Sequence, residues 1–125
     1  MAGPAVPGGG AGAATEIRTL TQRRDFLAAN KARRAPMPGF VLLVRRRDDD
    51  DATIRLGITV TKKIGNAVVR NRMKRRFRAL GRELLPLQGV PGADHVLIGR
   101  GDGVERPFDQ LRAELVKALA KVARR

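Results

Sequence analysis

Hydrophobic residues follow two different spacings in the middle of the chain. In "TIRLGITVT", residues 53–61, every second residue from Ile54 to Val60 is hydrophobic, the period of a strand with one buried face. After the "TKKIG" turn the period lengthens to that of an α-helix. The residues that recur at this spacing are Val69, Met73, Phe77, Leu80 and Leu84. The pattern predicts a helix that Asn66 caps and that ends near Leu85, before Pro86.

Shorter patterns predict further elements. "GFVLLVRRR", residues 39–47, is a continuous apolar run rich in β-forming residues and predicts a strand, and "DHVLIGRG", residues 94–101, predicts another. A helix is expected from Thr21, a residue able to cap it, with Phe26 and Leu27 on its buried side. "ARRAPMPG", residues 32–39, predicts a loop or an irregular edge, because prolines disfavour both helix and central strand.

The last twenty residues carry a third helical pattern. One stripe of this amphipathic helix consists of Leu111, Leu115, Leu119 and Val122. The order is therefore helix, strand, strand, helix, strand, helix, which indicates an α+β fold with helices packed on a small sheet. The chain of 125 residues suits one domain. Residues 16–125 are assigned to that domain, and residues 1–15, mostly Gly, Ala and Pro, are predicted to be disordered.

Four consecutive aspartates, Asp48 to Asp51, follow the first of these strands. Adjacent like charges repel each other, which favours an exposed connection between two strands. The alternative is a metal site formed by these carboxylates. It is disfavoured because a calcium-binding loop spaces its ligands and includes a glycine, whereas these carboxylates are adjacent.

The charge of the chain is strongly positive. Lys and Arg number 26 against 12 Asp and Glu, which gives a formal net charge of +14 and predicts a polyanionic partner. Hydrophobic residues make up 42% of the chain, enough to argue against a wholly disordered basic protein. There is no cysteine, so disulfides and thiolate zinc sites are excluded.

The only histidine, His95, lies within an apolar strand-like run, where a core position is favoured over a catalytic one. No apolar run approaches the roughly 18 residues of a membrane span, and the N-terminus lacks the pattern of a secretory signal. A cytoplasmic protein is expected.

The predicted central helix concentrates positive charge on the side opposite its apolar stripe. That side carries Arg70, Asn71, Lys74, Arg75, Arg78 and Arg82, whereas Arg72 and Arg76 flank the stripe. A solvated helix face normally interleaves acids, yet Glu83 is the only acid between Arg55 and Ala93. The uncompensated repulsion indicates a surface for nucleic acid, which Lys62 and Lys63 extend at the helix N-terminus.

Charge alone does not decide between RNA and DNA, and the other features suit a single strand. Arginine suits bidentate phosphate contacts, and Asn71 is able to contact a base edge or a 2′-hydroxyl. The sequence shows no helix-turn-helix pair and no zinc pattern. Phe26 and Phe40 are candidates for stacking on a single strand, although a core position is the commoner role for each.

The segment "KKIGNAVVRNRMKRRFR", residues 62–78, resembles the signature of the bacterial ribonuclease P protein component. That signature combines a Lys-Lys turn with Gly, an Ala-Val pair, an Arg-Asn-Arg core, a Lys-Arg step and a further Arg. The matching residues are Lys62, Lys63, Gly65, Ala67, Val68, Arg70, Asn71, Arg72, Lys74, Arg75 and Arg78. The similarity extends over about residues 18 to 122. Asn30 and Leu43 stand where the family often has aromatics.

The resemblance implies an α/β sandwich with a four-stranded sheet, in the order α-β-β-β-α-β-α. It places the basic helix in a left-handed crossover between parallel strands, although right-handed crossovers are the general rule. It also implies that the chain is a subunit of an endoribonuclease whose chemistry resides in a catalytic RNA. The implied partners are that RNA and precursor tRNA, whose 5′ leader lies in a cleft between the sheet and the first helix.

The resemblance assigns RNA binding to Lys62, Lys63, Arg70, Asn71, Arg72, Lys74, Arg75 and Arg78. Phe26 and Phe40 are the candidates for the leader cleft. No catalytic residue, cofactor or metal ligand is expected in this chain, and Mg²⁺ is assigned to the RNA subunit. No membrane and no obligate protein partner are expected.

Two other functions account for the charge alone. One is a ribosomal or general RNA-binding protein without an associated reaction, and the other is a protein that compacts DNA. Neither explains why all elements of the signature occur here in the same order and spacing.

Overall fold

The computed structural model describes residues 15–123. The strands are β1 (Ile17–Thr19), β2 (Arg33–Pro36), β3 (Phe40–Arg46), β4 (Ile54–Thr59) and β5 (Ala93–Gly99). The helices are α1 (Arg23–Ala29), α2 (Ala67–Gln88) and α3 (Phe108–Ala123). Two single 3₁₀ turns span Lys62–Ile64 and Gly101–Gly103. Residues 1–14 of the tail predicted to be disordered lie outside the described residues.

The strands form one mixed sheet in the order β1-β4-β5-β3-β2. β4 is parallel to both β1 and β5, whereas β3 is antiparallel to β5 and β2. The predicted α+β class and the parallel strands on either side of the basic helix are therefore confirmed. The handedness of that crossover stays a prediction of the resemblance.

The sheet has five strands rather than the predicted four, because β1 adds a short parallel strand beside β4. Three residues are too few to show a periodic pattern, so the sequence gives no signal for this strand. The segment predicted as a loop or irregular edge forms β2, which pairs only with β3. Pro36 ends β2 at this outer position, where a missing N–H is tolerated.

The sheet is covered on both faces, which explains why β3 is hydrophobic without alternation. Phe40, Leu42 and Val44 belong to the larger core with the apolar sides of α2 and α3. Val41 and Leu43 belong to a smaller core with Leu20 and Ala29, on the face that α1 covers. The stripe predicted for α3 is confirmed, since Leu111, Leu115, Leu119 and Val122 are all buried.

Helix α1 differs in detail from its prediction. Its N-cap is Gln22 rather than Thr21, and no side chain caps it. Leu27 was assigned to the buried side, but it is 50% exposed, and Asp25 and Ala29 are the buried residues of the helix. The helix has only seven residues, so the apolar spacing there was too short to define its face.

Helix α2 starts as predicted and ends later. The Asn66 side chain accepts a hydrogen bond from the Val69 N–H at 3.0 Å. The helix continues through Pro86 to Gln88 instead of stopping before the proline. A proline removes one backbone hydrogen bond, and near the helix end this loss is offset by burial of Leu84 and Leu85. The Pro86 carbonyl, near the C-terminal end of the helix, accepts a hydrogen bond from the Thr15 N–H at 3.0 Å.

The structure also confirms the predictions for the aspartate run and for the histidine. Asp48 to Asp51 form the exposed connection between β3 and β4, with Asp48 and Asp50 at positive φ. His95 is fully buried in β5, and its Nε2 accepts a hydrogen bond from the Val90 N–H at 3.1 Å. Burial lowers the pKa of His95 to about 4, so the ring is neutral near pH 7.

The described residues lack two kinds of feature. No helix between residues 15 and 123 is long and apolar enough to cross a membrane. In the same part of the chain, no three His, Asp or Glu side chains are grouped so that they would hold a metal ion.

We expect Asn66→Ala to lower the free energy of unfolding by about 1 kcal/mol, because the N–H of Val69 would lose its acceptor. Thermal or urea unfolding of the free protein measures the change. Asn66→Asp keeps a capping oxygen and should unfold like the unmodified chain. Equal losses in both variants would contradict this role for the cap.

Candidate nucleic-acid interface

The predicted basic face of α2 is open to solvent. We call it the α2 surface; it consists of Arg70, Asn71, Lys74, Arg75, Arg78 and Arg82. Asn71, Arg75, Arg78 and Arg82 are exposed, and Arg70 and Lys74 are partly buried. Within residues 15–123, no cation of this surface lies within 4.0 Å of a carboxylate oxygen. The positive charge is therefore available to a polyanion.

The start of α2 orients part of this surface. Arg70 Nε donates a hydrogen bond to the Gly65 carbonyl at 3.1 Å, which ties its guanidinium to the turn before the helix. Lys62 and Lys63 are exposed in the 3₁₀ turn that precedes this glycine. The structure thus brings both lysines to the N-terminal end of the α2 surface, as predicted. The partial positive charge of the helix N-terminus adds to theirs.

The apolar side of α2 explains why its cations point outward. Met73, Phe77 and Leu80 are buried in the larger core, and Gly81 lies directly over Leu56 of β4. A Cβ atom at position 81 would lie 2.4 Å from Leu56 Cδ2. This close approach of helix and sheet, together with the buried apolar side chains, sets the rotation of α2.

A cleft of about 230 Å³ separates the α2 surface from β1 and β4. We call it the β1 cleft. Lys74, Arg78 and Arg82 line it from α2, and Arg18 lines it from β1. Phe26 and Leu20 are among its apolar lining residues. The cleft therefore places cations beside an aromatic ring, a combination that suits a nucleotide chain with its phosphates and bases.

A second depression of about 450 Å³ lies between α1 and the sheet, and we call it the α1 groove. It is lined by Thr21, Arg23, Phe26, Asn30, Thr59, Val96 and Ile98. Of these lining residues, only Phe26 is a predicted site residue. The sequence gives little sign of this groove, because Thr59, Val96 and Ile98 are typical strand residues. Only the order of the strands in the sheet brings them together on one face.

Phe26 lines both depressions and so separates them. Its ring lies on Gly57 of β4, where a Cβ atom would come within 2.6 Å of Phe26 Cε1. Glycine at this position lets the ring settle against the backbone of the sheet. The structure thus keeps Phe26 as a candidate for base stacking. It is the only aromatic among the described residues that line the α1 groove.

Phe40 was the other candidate for a leader cleft, and that prediction is wrong. Its side chain is 0% exposed and packs edge-on against Phe77, with ring centroids 5.7 Å apart. Alternation along β3 turns Phe40 towards α2 and α3, the face opposite the α1 groove. Leu43, where the resemblance favours an aromatic, is buried in the smaller core, whereas Asn30 lines the groove.

The two arginines on the flank of α2 differ from each other. Arg72 is exposed, but Arg76 is partly buried and donates to the carbonyls of Arg106 and Val104. The Arg76 guanidinium also lies 5.9 Å from the centroid of the Phe108 ring. Burial, and then the nearby charge of Arg72, lower the pKa of Arg76. Arg76 therefore holds α2 to the segment before α3, while Arg72 remains accessible.

A buried ionic network, which no pattern in the sequence predicts, fixes α1 to the sheet. Asp94 of β5 is 0% exposed and accepts two hydrogen bonds from Arg55, at 2.7 and 2.8 Å. Arg47 donates to the same carboxylate at 3.0 Å, and Arg45 at 3.4 Å. Arg45 and Arg55 each also lie 3.4 Å from the carboxylate of Asp25 in α1.

The network has two consequences for the interface. It joins α1 to β3, β4 and β5, and so determines where Phe26 stands beside its two depressions. It also pairs three arginines with a carboxylate inside the protein, so their charge is not available to an external polyanion. In the sequence, the sign of this network is an aspartate at the start of the mostly apolar strand "DHVLIG". The residues next to it do not identify the arginines that pair with it.

Comparisons with known proteins agree on one family. A family model described as Ribonuclease P matches residues 15–123. The ribonuclease P protein component of Erythrobacter litoralis is 59% identical over 102 residues, covering 82% of this chain and 83% of the relative. That of Ruegeria pomeroyi is 48% identical over 112 residues, covering 88% and 90%.

Solved structures with the same name resemble this one. The RNase P protein from Thermotoga maritima matches with a TM-score of 0.71 at 31% identity, covering 83% of this chain and 96% of that one. The RNase P protein of Staphylococcus aureus matches with a TM-score of 0.70 at 27% identity, covering 85% and 94%.

We expect Asp94→Ala to lower the free energy of unfolding by about 3–5 kcal/mol, because three arginines would lose a fully buried partner. Urea unfolding measures the loss. The matched control is Glu83→Ala, which also removes a carboxylate from an arginine, here the half-exposed Arg112, and should change stability little. Similar losses in the two variants would show that burial of the Asp94 network is not what stabilises it.

Proposed function

The chain belongs to the ribonuclease P protein family, and we propose that it binds the catalytic RNA of ribonuclease P and the 5′ leader of precursor tRNA. In this proposal the α2 surface binds the phosphate backbone of the catalytic RNA. The α1 groove, with Phe26 at its boundary, takes nucleotides of the leader. The holoenzyme then hydrolyses the phosphodiester that joins the leader to the mature 5′ end.

The observation that carries the proposal is the uncompensated charge of the α2 surface. In water, like charges one helical turn apart oppose helix formation, so the arrangement lowers the stability of the free protein. The apolar side of α2 keeps the helix in place despite this repulsion. Binding a phosphate backbone would relieve the repulsion and release counterions, which favours association at low salt.

The division between the two binding sites follows from their shapes and residues. The α2 surface lies on the exposed side of a helix and is rich in arginine, which suits contacts with phosphates on a large folded RNA. The α1 groove is concave and lined by mixed polar and apolar side chains beside one aromatic ring. Such a groove suits a single strand, because its unpaired bases are free to stack. The β1 cleft lies between the two, with Lys74 and Arg78 of the α2 surface on its lining and Phe26 at its boundary with the α1 groove.

The proposal assigns the metal-dependent step to the RNA. Hydrolysis by a two-metal mechanism requires carboxylates that converge on the ions. The described residues offer no such group. The only carboxylate run, Asp48 to Asp51, lies in the exposed connection between β3 and β4. The part of this chain is therefore to bind, to neutralise phosphate charge and to position the leader, with Mg²⁺ held by the catalytic RNA.

Reconstitution tests the proposal directly. We expect the protein to stimulate 5′ leader removal by a bacterial ribonuclease P RNA at low magnesium, where metal ions screen phosphate repulsion least. Gel analysis of an end-labelled precursor tRNA measures the rate. An unrelated protein of similar net charge, added at the same concentration, controls for non-specific screening. No stimulation beyond that control would refute the proposed function.

The salt dependence of RNA binding tests the α2 surface. If about five phosphates are engaged, the affinity should fall with salt with a log-log slope of about −3.5 to −4.5. Arg78→Ala should make the slope shallower by about 0.7–0.9, because one phosphate contact is lost. Arg76→Ala is the matched control from the same helix and should leave the slope nearly unchanged, since Arg76 already bonds within the protein. Equal changes in both variants would rule out this assignment.

A further inference from the structure

A second stretch of the chain, residues 26–47, contains six cations and no acid. Two of the six, Arg45 and Arg47, pair with buried carboxylates of the Asp94 network. The other four are exposed, and no carboxylate oxygen among residues 15–123 lies within 4.0 Å of their charged groups. They are Lys31, Arg33, Arg34 and Arg46, and we call them the β2-edge surface.

Strand pairing brings these residues to one end of one sheet edge. Arg33 is paired with Val44 and Arg34 with Leu43, so the start of β2 lies beside the end of β3, where Arg46 is found. Lys31 precedes β2 by two residues. A depression of about 350 Å³ is lined by Ala32, Arg33, Val44, Arg45, Arg46 and Val122. Arginine and valine residues thus line one recess at this edge.

This surface lies at the opposite edge of the sheet from the α2 surface. Helix α2 contacts β4 and β1, whereas β2 is the outermost strand beyond β5 and β3. At about 4.8 Å per strand, β2 is roughly 14 Å from β4 and roughly 19 Å from β1. A single short stretch of nucleic-acid backbone on α2 would not also cover β2.

Arginine on an edge strand also has a simpler role, because charge prevents two exposed strands from pairing. That role accounts for Arg33 and Arg34. It does not account for Arg46, which lies on the interior strand β3, or for Lys31, which precedes β2. Nor does it require the absence of acids, since Glu or Asp would protect an edge equally well. The shared property of the four residues is positive charge without a carboxylate partner in the described part of the chain. Arg33 donates one hydrogen bond, at 3.4 Å, to the Lys121 carbonyl, but unlike Arg76 it is exposed.

We propose that the β2-edge surface binds the phosphate backbone of a second RNA segment while the α2 surface binds the first. The inference rests on the proposed function and extends it. The two arginines of β2 alternate across the edge, Arg33 on the face of the larger core and Arg34 on the face of the smaller core. Each exposed guanidinium provides paired donors for phosphate oxygens. With two separated sites the protein links two RNA segments, and the second contact forms at high effective concentration.

The first test is the salt dependence of binding to a bacterial ribonuclease P RNA. The double variant Arg33→Ala/Arg34→Ala should make the log-log slope shallower by about 1.4–1.8, as expected for two lost phosphate contacts. The double variant Arg33→Lys/Arg34→Lys keeps both charges and should restore the slope. Thermal unfolding of each variant verifies that the exposed edge tolerates the changes.

The outcomes separate this inference from the proposed function. If the unmodified protein does not bind the RNA, the proposed function fails. If Arg78→Ala changes the slope but Arg33→Ala/Arg34→Ala does not, the β2-edge surface is not an RNA site. Self-association of the alanine variant with unchanged RNA binding would show that these arginines only protect the edge strand, and would also overturn the inference.

The second test locates the RNA segments. The chain has no cysteine, so a single introduced cysteine carries an iron chelate at one defined position. Pro36→Cys places the chelate on β2 and Ala79→Cys places it on α2; both positions are exposed. Hydroxyl radicals generated in the complex should cut two different segments of the RNA. Cleavage from position 36 that is absent, or that coincides with cleavage from position 79, would contradict a second site.

Discussion

The arrangement of this protein depends on one buried carboxylate, Asp94. Arginines from the end of β3 and from β4 converge on it, and Asp25 of α1 completes the network. A buried charge is costly unless it is paired and hydrogen-bonded, so this site tolerates little change in geometry. The central strands, the position of α1 and the place of Phe26 are consequently determined together rather than separately.

The acidic residues of the chain fall into two classes. Carboxylates such as Asp94, Asp25 and Glu114 neutralise arginines within the fold. Other acids lie in exposed turns, as in the connection from β3 to β4. The helix α2 has Glu83 alone, and Arg112 of α3 engages it. Within residues 15–123, positive charge therefore remains without a carboxylate partner on the α2 surface, while the buried carboxylates are paired with arginines.

Sequence patterns predicted those parts of the structure that depend on local periodicity. The alternation in β4, the apolar seam of α2 and the stripe of α3 each specify a buried side, and each was confirmed. Where the element is short, as in β1 and α1, the pattern holds too few residues, and Leu27 was placed on the wrong side. Phe40 was misassigned because the face of a doubly buried strand depends on its neighbours in the sheet. The Asp94 partners were not found because they are 39 or more residues distant in sequence.

Gly57, a residue without a side chain, determines the position of the Phe26 ring and so the shape of the two depressions that the ring lines. Because it has no Cβ, the Phe26 ring rests directly on the sheet, and the height of the ring above the backbone sets the wall between the α1 groove and the β1 cleft. One methyl group at position 57 would push the Phe26 ring away from the sheet and so change the shape of both depressions, with every cation of the α2 surface unaltered. The width of both depressions is thus set in part by a residue that has no side chain of its own.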